Sequence, residues 1–294
     1  MNNRYLAIIA ALIATSIFGI NHTITKSLMP YYISAQALLF CRVFGAFILF
    51  WLIGFFDKSE KIESKDILRF IFCAIFGMSL NMISAIKGLE LSTPINSSII
   101  STISPIIVFI ISVILIREKI IKSKVLGVIL GFIGAFTLVL FNTKSSGDAQ
   151  NIRLGNLLLL TNSICYAIYL VSVKKLATKY NTITIMKWLF LISIIINAPF
   201  TVEDFLKTNW QNYDFRAILH LIFVVIGATF LVYLLNVYAL KSLKASTVGI
   251  FIYLQPMIAI IYATFTGSDT LGLLDIISMI LVFTGIYIVS LKNN

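Results

Sequence analysis

Ala239–Pro256 reads ALKSLKASTVGIFIYLQP, and Gly88–Pro105 reads GLELSTPINSSIISTISP. At an offset of 151 positions (88 to 239) the two lie on each other without a gap. Leu89 falls on Leu240, Ile99 on Ile250 and Pro105 on Pro256, and the register continues through Glu118 on Asp269, Phe132 on Phe283 and Gly134 on Gly285. Matches between common apolar residues recur by chance in so apolar a chain. Prolines, acids and glycines paired at one offset do not, and a fixed-offset self-match signals internal duplication. The first spans of the two halves match at an offset of 148, with Phe18 on Tyr166 and Lys26 on Lys174.

Composition says where this doubled unit resides. The chain has 294 residues, 59% hydrophobic and 12% charged, with a mean hydropathy of +0.99. Soluble domains are about 45–50% apolar and about 25% charged. Runs of roughly 20 apolar residues, each able to cross about 30 Å of hydrocarbon, recur from end to end. They predict an all-α integral membrane protein with spans Tyr5–Thr25, Ser34–Phe55, Ile67–Lys87, Asn96–Ile116, Ser123–Phe141, Leu154–Val173, Thr184–Phe200, Ala217–Leu240, Ser246–Phe265 and Gly272–Leu291. The first run, with Arg4 ahead of it, reads as a retained span rather than a cleaved signal. The polar segment Thr143–Asn151 joins the halves, 1–142 and 152–294. Trp210, in the loop expected at Thr201–Arg216, is a candidate interfacial anchor.

The net charge of +11 would suggest nucleic acid in a soluble protein. Here the cations lie in short connections, with no basic patch interleaved with aromatics, so nucleic acid is excluded as a partner. Of 23 lysines and arginines, 15 fall on the side that holds both termini, 6 on the other, and Arg42 and Lys187 within spans. The positive side is cytoplasmic, so both termini are predicted inside, in the cell (inner) membrane. Each half has five spans, an odd number, so the second enters the membrane from the opposite face. Ten transmembrane helices as two inverted five-helix repeats is the expected architecture, and it is characteristic of secondary transporters.

Several residue groups resemble one known family: Asn236-Val-Tyr-Ala-Leu-Lys241 followed by Ala245-Ser246 and Pro256, Arg117-Glu118-Lys119 followed by Leu126-Gly127, and Phe18-Gly19-Ile20-Asn21 with Lys26 and then Arg42. Together they resemble the EamA type of the drug/metabolite transporter superfamily, along essentially the whole chain. The resemblance implies a ten-helix carrier of small metabolites, commonly an exporter of amino acids or related compounds. It also implies a central cavity between spans 1–4 and 6–9, with spans 5 and 10 peripheral or in a homodimer contact. A channel or a membrane-embedded enzyme without carrier activity are the alternatives. Two histidines 198 positions apart (22 and 220) and no buried acid argue against the enzyme.

Polar groups within spans mark the candidate site, because a charge at mid-bilayer costs roughly 2.5–3.5 kcal/mol. All twelve acids fall in loops or at span ends, which disfavours efflux of quaternary cations. The in-span groups are basic instead: Arg42, His22 and the span-end Lys26 and Lys87, with Asn21, Asn81 and Asn96 in the same outer half. They outline an electropositive vestibule for a substrate carboxylate, which the planar fork of Arg42 suits. The competing readings are that the lysines snorkel and that Arg42 caps a carbonyl or closes an outer gate. His22 is the candidate for a coupling proton, against a packing role. Near the midplane lie Ser101, Asn162, Tyr166, Tyr169, Tyr253 and Gln255, with Asn236 further in. They are candidate pocket residues or helix packing, Tyr166, Asn162 and Gln255 foremost. Pro105 and Pro256 fall within spans as candidate gating kinks or static ones. Gly127-x-x-x-Gly131 with Gly134 reads as close internal helix packing rather than dimerisation. No cofactor motif and no metal-ligand spacing is present. The three cysteines, Cys41, Cys73 and Cys165, read as packing residues.

Overall fold

The computed structural model describes residues 3–56, 60–92, 97, 100–141, 151–265 and 273–291. Its regular structure is helical. In chain order the helices are α1 (Asn3–Leu28), α2 (Ala35–Phe55), α3 (Ser64–Leu91), α4 (Ser104–Ile116), α5 (Lys122–Phe141), α6 (Ile152–Ala177), α7 (Thr182–Lys207), α8 (Phe215–Ser242) and α10 (Leu273–Ser290). Between α8 and α10, α9 is broken into Ala245–Ile250, a 3₁₀ turn Phe251–Tyr253, and Leu254–Phe265. Six helices, α1, α2, α3, α6, α7 and α8, are long and apolar enough to cross a membrane, and shorter apolar helices accompany them.

Local chemistry fixes several helix starts. Ser34 accepts from the Ala37 amide at 3.2 Å, Asn151 from Leu154 at 3.2 Å, and Asp214 from Ala217 at 2.6 Å. Each satisfies an amide that the first turn leaves unpaired. Span 7 was expected to stop at Phe200, but α7 runs on through Pro199 to Lys207. Pro199 breaks only one backbone bond, and the added turns stay anchored: Asp204 accepts a hydrogen bond from Ser34 at 2.9 Å. The expected loop Thr201–Arg216 therefore shrinks to a short link, in which the Trp210 ring stacks on Tyr213 at 5.2 Å.

The prolines also differ from expectation. Pro105 does not kink a continuous helix; it sits in the first turn of α4, after a turn at Thr102–Ile103. Pro256 likewise follows the 3₁₀ turn in α9. Proline's missing N–H is harmless in a first turn, so at each place the helix breaks and restarts. Helices α3 and α8 carry a second irregularity that hydropathy does not announce. Each contains a π-helical stretch, Ile75–Ser79 in α3 and Phe223–Leu231 in α8.

The main packing contacts join α5 to α10, α2 to α7, α3 to α6, α1 to α8, α4 to α6, and α1 to α9. The glycine face of α5 meets α10: a Cβ at Gly127 would stand 2.7 Å from the Gly285 carbonyl oxygen. That spacing explains the glycines as an internal contact. Asp269, the duplicate of Glu118, lies outside the described residues.

Candidate functional site

A cavity lies among α1, α2, α3, α6, α8, the break in α9 and the segment before α4. Its empty volume is about 770 Å³, open mouth included. It gathers Asn21, His22, Arg42, Asn81, Ser101, Asn162, Tyr166 and Gln255 from the sequence-derived candidates, and no acidic residue lines it among the described residues. Asn96 lies outside the described residues.

The π-helical stretch of α8 positions Arg42. Within it the Thr229 hydroxyl donates to the Val224 carbonyl at 2.8 Å. The same hydroxyl oxygen accepts from Arg42 Nε at 2.9 Å. Arg42 is only 5% exposed, yet among the described residues it has no ion pair and no other hydrogen bond. A guanidinium carries five donors, so its two terminal nitrogens remain available at the cavity wall.

The π-helical stretch of α3 does related work on the opposite wall. The Tyr233 hydroxyl lies 3.0 Å from the Gly77 carbonyl, within that stretch, and 3.2 Å from Asn81 Oδ1, its single proton serving either acceptor. Asn81 Nδ2 donates to the Asn162 carbonyl at 3.1 Å, and Asn162 Nδ2 donates to the Asn81 carbonyl at 3.0 Å. This reciprocal clamp fixes α3 against α6. His22 Nδ1 lies 3.2 Å from Ser97 Oγ, with the Gln255 side chain as its second polar neighbour. Asn21 Oδ1 accepts from the Thr25 hydroxyl at 3.1 Å.

Three candidates stand outside the cavity. Tyr169 is fully buried where α6 crosses α3, and a Cβ at Gly77 would overlap its ring. Tyr253 is fully buried against Gly131 in the same manner. Asn236 sits behind Tyr166, donating to its hydroxyl at 3.3 Å. The expected vestibule lysines are likewise committed elsewhere. Lys26 donates to the carbonyls of Leu89, Glu90 and Ser92 at 2.9, 3.0 and 3.1 Å, and Lys87 pairs with Glu90 at 2.6 Å. Tyr233 of α8 also lines the cavity. Thr229 and Ser97 were missed altogether. A hydroxyl in an apolar run bonds to its own helix by default, and only the π-helical register gives Thr229 a second partner.

Lys174, the duplicate of Lys26, donates to the Leu240 carbonyl and, at 2.9 Å, to that of Leu243. Near it lies a buried cluster that the sequence placed in a loop. Arg117 ends α4 with a left-handed turn (φ 53°) and sends Glu118 inward, where it is 8% exposed. Glu118 Oε1 pairs with Lys124 Nζ at 2.5 Å and accepts from Ser246 Oγ at 2.5 Å. Glu118 and Lys124 belong to the first half and Ser246 to the second, so the cluster ties the halves together.

Comparison with known proteins places this arrangement. Residues 5–140 and 153–291 match the EamA-like transporter family. An uncharacterized transporter of Archaeoglobus fulgidus is 29% identical over 80% of this chain and 82% of its own. The uncharacterized transporter YyaM of Bacillus subtilis is 23% identical over 96% and 93%. A solved crystal structure superposes with a TM-score of 0.74 at 16% identity, covering 97% of this chain and 95% of the other, a likeness of fold alone. With matches to both halves and relatives that are transporters rather than enzymes, the chain is a membrane protein that belongs to the EamA-like transporter family.

Proposed function

We propose that this chain is a secondary carrier that exports a small carboxylate-bearing metabolite, such as an amino acid or a related compound, by alternating access through the cavity around Arg42. The observation that carries the reading is a buried arginine with free donors on a cavity that no acidic residue lines among the described residues. A buried cation without a counter-charge is costly. A bound carboxylate supplies that charge and accepts two parallel hydrogen bonds. The amides of Asn21 and Gln255 and the Tyr166 ring suit the remainder of a small polar molecule.

A duplicated contact pattern supports reading the two halves as inverted repeats. With α1 to α5 corresponding to α6 to α10, the contact of α1 with α8 maps onto that of α6 with α3, and α4 with α6 maps onto α9 with α1. Lys26 and Lys174 cap equivalent carbonyls, and the breaks before Pro105 and Pro256 recur. A carrier of this kind alternates by rocking one half against the other around a fixed site. Lys26 would secure one end and the Glu118 cluster the other. The charge bias supports an orientation with both termini in the cytoplasm of a cell-membrane protein. If a proton couples transport, His22 carries it.

Flux into proteoliposomes tests the reading. Saturable uptake of a carboxylate substrate, accelerated by the same substrate on the opposite side, is expected. Flux that does not saturate would make the protein a channel and defeat the proposal.

A further inference from the structure

A second concavity lies on the outer surface of the bundle, between the start of α3, the end of α4 and the end of α6. Its wall is apolar and open: Leu68 is 76% exposed and Leu115 51%, with Phe72 beside them. Its end is cationic, with Lys65, Arg69 and Lys175. The order of these groups along α3 matters. Lys65 and Phe72 are seven residues apart, about 10 Å along a helix, so the charges sit at the helix end and the apolar wall runs inward from them.

The charges are not cancelled locally. Glu63 pairs with Lys65 and Lys179 at 2.7 Å each. Asp66 pairs with Lys179, and with Arg69 only at 3.8 Å. Four cations therefore face two carboxylates, an excess of two. Lys175 has no ion pair among the described residues. The positive-inside bias accounts for cations at these helix ends, but not for three of them lining one recess with an exposed apolar wall. A ligand with an anionic head and a hydrocarbon tail answers both features, and basic recesses between membrane helices bind such head groups.

We propose that this groove binds an anionic phospholipid, its phosphodiester held by Lys65, Arg69 and Lys175 and an acyl chain lying on Leu68, Phe72 and Leu115. The site is separate from the central cavity, and the proposal stands whether or not the transport reading does. By the proposed orientation it faces the cytoplasmic leaflet.

Native mass spectrometry of the full chain in a neutral detergent, titrated with phosphatidylglycerol or phosphatidylcholine of matched chains, tests it. Each cation near a lipid surface contributes about fivefold, so the first phosphatidylglycerol should bind at least tenfold more tightly than phosphatidylcholine. That preference should fall below threefold in Arg69→Gln/Lys175→Gln and return in Arg69→Lys/Lys175→Arg. Equal binding of the two lipids, or a preference that survives in Arg69→Gln/Lys175→Gln, would overturn the proposal. So would inorganic phosphate displacing phosphatidylglycerol at equal concentration, which would mark a simple anion site. A Phe72→Trp variant gives an independent reading: its added fluorescence should be quenched more by chain-brominated phosphatidylglycerol than by the phosphatidylcholine analogue, and equal quenching counts against the site.

Discussion

Thr229→Val removes one oxygen from the cavity wall and should undo two interactions at once. Valine matches threonine in shape, so packing is nearly preserved. Lost are the bond from Arg42 Nε at 2.9 Å and the bond to the Val224 carbonyl at 2.8 Å. A hydrogen bond to a charged group contributes about 1.5–3 kcal/mol and a neutral one about 0.5–1.5 kcal/mol. Among the described residues Arg42 has no other hydrogen bond to hold it. We expect Thr229→Val to lower unfolding free energy by about 2–4 kcal/mol, read from thermal unfolding of the purified protein. It should also weaken carboxylate binding at least tenfold, because the guanidinium loses its orientation. Thr229→Ser keeps the oxygen and gives up a methyl group, for about 0.8 kcal/mol, and should bind as wild type does. If Thr229→Val unfolds and binds like wild type, the hydroxyl does not hold Arg42, and the role given to the π-helical stretch is wrong.

Other outcomes follow from the same contacts. Lys26→Met strips a charged donor from three carbonyls and Lys174→Met from two, so each should lower thermal stability, by about 1.5–3 kcal/mol per charged bond lost at most. Glu118→Gln breaks the ion pair with Lys124 inside a buried cluster, where removing one partner typically costs about 3–5 kcal/mol; a variant as stable as wild type would show that the cluster does not hold the halves together. At the α3 end, hydrogen bonds from Lys179 and then Lys65 hold the Glu63 carboxyl below its ordinary value of 4.5. A depressed folded-state value means that this contribution is present above about pH 4.5 and is lost as pH falls through the lowered value. Burial pulls Lys179 down, but its hydrogen bonds to Asp66 and Glu63 outweigh that and raise the ammonium above 10.5. Its contribution is therefore present below 10.5 and is lost only above it. Glu63→Gln should flatten the acid limb of a stability–pH curve, and an unchanged limb would contradict the assignment.

Much of this architecture is legible in the residue order, because a bilayer demands long apolar runs and a duplication repeats its punctuation. The paired prolines mark a real break in each half, although proline sits after the break rather than bending a helix through it. Arg42 was readable because a charge within an apolar run has few other reasons to be there. The π-helical stretches were not, since one extra residue in a turn leaves hydropathy unchanged; with them went Thr229 and the cavity position of Tyr233. Tyr169 and Tyr253 misled for a related reason. An aromatic ring over a glycine and an aromatic ring on a cavity have the same sequence, and only the crossing of the helices separates them. Arg117-Glu118-Lys119 looks like a polar loop in sequence, and the left-handed residue that turns Glu118 inward carries no such signature.

The central claim is that Arg42 supplies the positive charge that selects the substrate. Thermal stabilisation by matched pairs of small ligands, each a carboxylate and its methyl ester, measures this directly in wild type and in Arg42→Gln. A charge-assisted pair of about 1.5–3 kcal/mol corresponds to roughly 10- to 150-fold in affinity. The account predicts that wild type favours the carboxylate by that factor and that Arg42→Gln, folded and monodisperse, binds acid and ester alike. Preference for the ester in wild type, or an undiminished preference for the acid in Arg42→Gln, would contradict it.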